Sequence, residues 1–181
     1  MPMARALRAL AALSVTACAM LQAHAATLPD EVRTGVGRDW VIGGSGEARW
    51  LGFSLYRAAL WSAPGGYRAD APFALALRYS RDFAGERLVD SSISEIARLG
   101  ASATQLLGWR VGLEQAFPDV KAGEVIVGLY LPGEGAAFYH QGRLTARLAD
   151  EDFARLFFAI WLDRRTRLPH LREALLSGAT G

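Results

Sequence analysis

Phe73-Ala74-Leu75-Ala76-Leu77-Arg78-Tyr79 and the stretch that follows it, residues 87–99, decide the fold. The first alternates with a period of two, as a strand does. The second changes period. Leu88, Ser92, Ile96 and Leu99 recur at helical spacing, with Val89 and Ile93 beside them, and Gly100 follows as a helix-ending residue. C-terminal to this change, Ser102 and Gln105 make an S-x-x-Q capping box. The helix it opens has Leu106, Trp109, Leu113 and Phe117 inward and stops before Pro118. Residues 125–131 form another apolar strand, turned by Pro132-Gly133-Glu134-Gly135. Residues 136–140 and 143–148 flank Gln141-Gly142, a two-residue hairpin turn in which glycine supplies positive φ. Asp150 caps a helix with Phe153, Leu156, Phe157, Ile160 and Trp161 inward, and Pro169 opens a short last helix to Leu176.

N-terminal to the alternating stretch, residues 31–62 read as β-rich, with Gly35, Gly37, Gly43, Gly44 and Gly46 as turn punctuation. Residues 49–61 are aromatic and apolar with few breaks, as in one strand covered on both faces, and Pro64-Gly65-Gly66 ends it. Gly43-Gly44-Ser45-Gly46 has a phosphate loop's composition but lacks its Lys and following helix, so it reads as a turn. Strands, two helices, strands, two helices is a segregated order. It predicts an α+β fold, an antiparallel sheet with helices on one face.

The first residues read as an export signal. Arg5 and Arg8 precede an apolar run over residues 9–20, too short to span a bilayer, and Ala23-His24-Ala25 is an A-x-A cleavage site. Cleavage between Ala25 and Ala26 leaves residues 26–181 as one domain with no transmembrane segment, in the periplasm or outside the cell. A rival reading takes Val15-Thr16-Ala17-Cys18 as a lipoprotein box with Cys18 lipidated. Cys18 is the only cysteine, so the processed chain has no disulfide, thiol or Cys–metal chemistry. Removing Arg5 and Arg8 from the 20 basic residues leaves 18 against 18 acidic ones. That balance carries no basic stripe for nucleic acid. His140 and His170 lack ligand-spaced partners, which argues against a metal site; both read as solvated. No cofactor motif appears. Ser91 and Ser92 read as helix-packing residues. Arg78, Tyr79, Arg81 and Asp82 read as a surface ionic cluster. Residues 161–166 read as a helix C-terminus with Arg164 and Arg165 against its dipole.

Several segments, in order, resemble the chalcone isomerase superfamily, and in particular its exported bacterial chalcone isomerase-like branch. They are residues 44–52 with Arg49-Trp50-Leu51-Gly52, residues 55–61 with Leu55-Tyr56-Arg57, Leu77-Arg78-Tyr79, Phe117-Pro118-Asp119-Val120-Lys121, Phe138-Tyr139-His140 and residues 158–163. The resemblance covers most of residues 40–176. It implies an open-faced β-sandwich with a ligand cleft between sheet and helices. It also implies a choice between true isomerases and non-catalytic fatty-acid binders. The isomerases use a strand Arg, a strand Thr, and a Tyr and an Asn from the helical layer. Arg49 resembles that Arg, Tyr56 stands at the Thr position, and residues 84–92 contain neither Tyr nor Asn. The resemblance therefore implies no catalytic set and a carboxylate-binding pair, Arg49 with Tyr56.

The chemistry of that pair is direct: a guanidinium in an apolar cleft needs an anion, and a phenol can donate to the same carboxylate. Geometry resists it, because residues seven apart on one regular strand face opposite sides. Convergence requires a bulge, for which Gly52 is the natural place. The expected function is binding of a small hydrophobic carboxylate such as a fatty acid, with Phe53 and Leu55 along its tail. The alternatives are an intramolecular lyase or isomerase acting on an enone, and a structural envelope protein with a filled cleft.

Overall fold

In strand β3 (Phe73–Tyr79), large and small residues segregate to opposite faces, and each face of the sheet packs into its own apolar cluster. The computed structural model describes residues 28–179. The expected signal peptide, its expected Ala25–Ala26 cleavage point and Cys18 lie outside the described residues. Strands β1 (Val41–Trp50), β2 (Phe53–Ser62), β3, β4 (Val125–Leu131), β5 (Gly135–His140) and β6 (Arg143–Leu148) lie side by side in chain order, every pair antiparallel. Helices α1 (Asp30–Gly35), α2 (Gly85–Leu99), α3 (Ala103–Ala116), α4 (Glu151–Leu162) and α5 (Pro169–Leu176) complete the α+β architecture.

On one face Phe73, Leu75, Leu77 and Tyr79 join Leu60, Ile126, Tyr130 and Phe138 in a core closed by α2, α3, α4 and α5. The other face carries Ala74, Ala76, Val127, Leu129 and Tyr139, and α1 covers it through Val32. Phe117, Phe138, Phe153, Phe157 and Phe158 form a chain of mostly edge-to-face contacts between sheet and α4.

The expected helix boundaries hold, and so do their caps. Gly100 is left-handed at φ 117°. The Ser102–Gln105 capping box closes in both directions. The Gln141-Gly142 turn has positive φ at both residues, 50° and 81°. Asp150 accepts the Phe153 backbone N–H at 2.9 Å through one carboxylate oxygen and the buried Trp109 indole N–H at 2.8 Å through the other.

Three local readings are corrected. Residues 31–62 are not all β. Pro29 precedes a short helix whose first turn carries Asp30 and Glu31 against its dipole and whose Val32 is buried on the sheet. Gly43-Gly44-Ser45-Gly46 is not a turn but the interior of β1. The glycines serve close approach: a Cβ on Gly46 would lie 2.8 Å from Leu171 and 2.9 Å from Ala174, and one on Gly44 would collide with the backbone of Ala174 and Leu175. Helix α5 therefore lies directly on β1. Residues 49–61 are not one strand. Leu51 and Gly52, with φ 47° and 83°, form a tight hairpin turn between β1 and β2.

Two outcomes test these local arguments. Asp150→Ala removes a helix cap and orphans a buried indole, so it should cost about 2–3 kcal/mol in urea unfolding. Leu51→Asn puts a residue that tolerates the left-handed region into a turn that asks for it. It should stabilise by up to about 1 kcal/mol, raising Tm by roughly 2–4 °C.

Candidate functional site

The helices do not fill the space over the inner face of the sheet. Between β2, β3, β4 and β5 below and α2 and α4 above lies a cavity of about 890 Å³. Its apolar walls are Leu75 and Leu77 from β3, Ile126 from β4, Phe138 from β5, and Phe157 and Phe158 from α4. The β3 alternation puts the leucines there, and Gly128 on β4 leaves room for the Phe158 ring, 3.1 Å from where its Cβ would stand.

Polar groups enter from two sides. From the sheet come Tyr56 and Tyr79, whose rings meet edge-on at 5.9 Å. Tyr56 is partly exposed as a residue, yet its hydroxyl sits under α4 and accepts the Trp161 indole N–H at 2.9 Å. Burial pushes its pKa up from 10.0 to about 12; the Trp161 hydrogen bond opposes that shift and the charge of Glu95 adds to it. Burial also raises Tyr79, and Tyr56 raises it further. Both phenols stay protonated near neutral pH, so they serve as hydrogen-bonding groups rather than bases. From the helical layer come Glu86, Arg87, Ser91, Ser92 and Glu95 of α2, and Arg167 beyond α4. Glu95 is bound by Arg98 at 2.8 Å and by Arg167 at 3.1 Å. Arg87 has no ion pair among the described residues, so it is the cavity-lining cation left free for an incoming anion.

The structure separates the two residues expected to share a head group. Ala48 pairs across the hairpin with Tyr56, and both face the helices. Arg49, the next residue, points to the opposite face, where its side chain is 63% exposed and binds Glu47 at 3.0 Å. A bulge does exist, though not at Gly52. The register slips between Ala48–Tyr56 and Arg49–Ser54, so Leu55 is the extra residue. As a result Leu55 and Tyr56, consecutive in sequence, both line the cavity. Phe53, expected along the ligand tail, is 65% exposed at the hairpin tip instead.

Other expectations shift as well. Trp161 lines the cavity rather than merely ending a helix, although Arg165 does bind the adjacent Asp163 at 2.9 Å. Of the supposed ionic cluster, Asp82 pairs with Lys121 at 3.0 Å, Arg78 donates to the Gly123 carbonyl, and Tyr79 belongs to the cavity. Ser91 and Ser92 line the cavity too. His140 is not a free turn residue but binds Glu124 at 3.0 Å, while His170 is exposed. Glu95 was missed, although it sits seven residues beyond Leu88 on the same helical stripe. Arg87 lies off that stripe and carried no signal. Among the described residues no cluster of His, Cys, Asp and Glu could hold a metal ion, and no helix is long and apolar enough to cross a membrane.

An open antiparallel sheet, helices over one face and an apolar cavity between the layers define the class: a two-layer α+β protein built around a ligand-sized hollow. Residues 21–177 match the family model described as chalcone isomerase-like, and the chain belongs to that family. Among solved structures it is similar to the fatty-acid binding protein AtFAP1 of Arabidopsis thaliana, at 12% identity and a TM-score of 0.60, over 79% of this chain and 89% of that one. At that identity the likeness shows the fold. A search of curated proteins finds no match.

The Tyr56 shift has a consequence for stability. Below pH 10 the phenol is protonated in folded and unfolded chains alike, and its contribution is fully present. Between pH 10 and about 12 only the unfolded chain ionises, so stability is lost as pH rises toward the folded value. Denaturant midpoints measured across that window should fall less steeply in Tyr56→Phe than in the parent.

Proposed function

We propose that this chain is a non-catalytic, exported binding protein that holds a small amphipathic carboxylate, such as a fatty acid, in the cavity between sheet and helices. One observation carries the reading: an 890 Å³ hollow with aliphatic and aromatic walls and an unpaired guanidinium, Arg87, among its lining groups. Ligand pockets span about 300–1,000 Å³, so the space suits a medium-sized ligand. Apolar walls favour a hydrocarbon tail, and a cation without an acid partner favours a charged head. The phenols of Tyr56 and Tyr79, held protonated, are suited to donate hydrogen bonds to a carboxylate. The likeness to a fatty-acid binding protein supports the choice of ligand class. The export pattern of residues 1–25 supports a periplasmic or secreted location. Arg49 has no part in this reading, because it lies on the far face of the sheet.

Calorimetric titration with decanoate tests the assignment. The parent should bind it. Leu77→Trp, which fills the hollow, should abolish binding while the fold persists. Arg87→Ala should weaken binding about tenfold, the worth of one charge-assisted contact. Arg49→Ala should leave affinity unchanged. Decanoate binding that survives Leu77→Trp would remove the cavity from the proposal. Turnover of chalcone above the spontaneous rate would remove its non-catalytic half.

A further inference from the structure

The tip of the β1–β2 hairpin is an exposed apolar wedge. Trp50 is 65% exposed, Leu51 74% and Phe53 65%. Folding does not ask for this composition. Leu51 occupies the left-handed region at φ 47°, followed by Gly52 at 83°, a turn that asparagine–glycine satisfies without strain and leucine does not. A leucine held there, with its side chain in water, lowers stability and gains no contact in return. The expense is explained if the side chain is buried elsewhere.

Two further observations say where. First, the wedge runs into the cavity: Trp50 and Leu55, on either side of the tip, both line it. Second, the surroundings are cationic. Arg57 lies on β2 below the tip. Arg81 is held beside the hairpin by the Ser80 N–H donating to the Leu55 carbonyl at 2.9 Å and by the Ser54–Ser80 hydroxyl pair at 2.7 Å. Arg87 stands in the cavity lining with Trp50. These three arginines have no ion pair among the described residues; Arg57 lies opposite Glu47 across the hairpin on the outer face, where Glu47 is engaged by Arg49, and the cavity-lining acid without an ion pair is Glu86. Arg49 is balanced by Glu47.

We propose that this tip docks the protein on an anionic lipid bilayer, so that the cavity mouth meets the membrane surface from which its ligand enters or leaves. Tryptophan, leucine and phenylalanine at a loop tip suit insertion at the headgroup boundary, and the arginines behind them suit anionic headgroups. The proposal rests on the ligand-binding reading for its purpose but not for its test.

Sedimentation with phosphatidylcholine vesicles, with and without phosphatidylglycerol, decides it. The protein should pellet with the anionic vesicles and less so at high salt, and the emission of Trp50 should shift to the blue. The double variant Leu51→Asn/Phe53→Ser should lose at least about tenfold in vesicle affinity. Its Tm should not fall below the parent's, and it should still take up decanoate in vesicle-free solution, since neither residue lines the cavity. No binding to anionic vesicles, or binding indifferent to the double substitution, overturns the docking surface. Self-association of the parent that the double variant abolishes overturns it in favour of a second copy. A parent that pellets with vesicles but takes up no decanoate keeps the docking surface and loses the ligand reading.

Discussion

The central strand β3 puts leucine and phenylalanine on one face and alanine on the other, and the unequal cover that this demands organises the molecule. The small residues Ala74 and Ala76 lie on an outer face against which Leu28, Val32 of α1 and Trp40 pack. The large residues Phe73, Leu75, Leu77 and Tyr79 demand a full helical layer. Burial of apolar surface at roughly 25 cal/mol per Å² makes that layer obligatory rather than decorative. Helices are rigid rods over a twisted surface, and here their side chains meet the sheet densely along the phenylalanine chain and loosely over Leu75, Leu77 and Ile126. The cavity is where the cover is incomplete, and it is apolar because the face beneath it is.

Signals confined to a few neighbouring residues were legible in the sequence. The two-residue period of β3, the Ser102–Gln105 box, Gly100 as a helix end, Asp150 as a cap and Gln141-Gly142 as a turn each depend on local backbone chemistry. What failed depended on partners far away in the chain. Gly44 and Gly46 look like turn residues until α5 is seen lying on them. Leu51-Gly52 hides a hairpin because leucine is the wrong residue for it, so an apolar run read as one strand is two. Trp161 ends a helix by sequence, yet its indole donates to Tyr56 across 105 positions.

The candidate site shows the same division. Tyr56 was legible by resemblance, and it lies in the cavity lining. Arg49 was chosen on the same grounds and is carried to the other face by strand parity, one residue from the buried Ala48. A bulge was correctly seen as necessary, but it falls at Leu55, where it turns two neighbours inward and does nothing for Arg49. Arg87 and Glu95 come from a helix whose distance from the sheet no periodicity reveals.

Strand order gives the architecture a dividing line. The strands β1, β2 and β3 follow one another with no helix between them, as do β4, β5 and β6. The two leaves meet along one ladder, from Phe73–Tyr130 to Arg78–Val125. The hollow straddles this suture, with Tyr56 and Leu77 on one leaf, Ile126 and Phe138 on the other, and Trp161 of α4 above them. Any molecule lodged there grips both leaves at once. Occupancy therefore braces the joint by mass action, and an emptied protein is held along that line by its own ladder and helices alone.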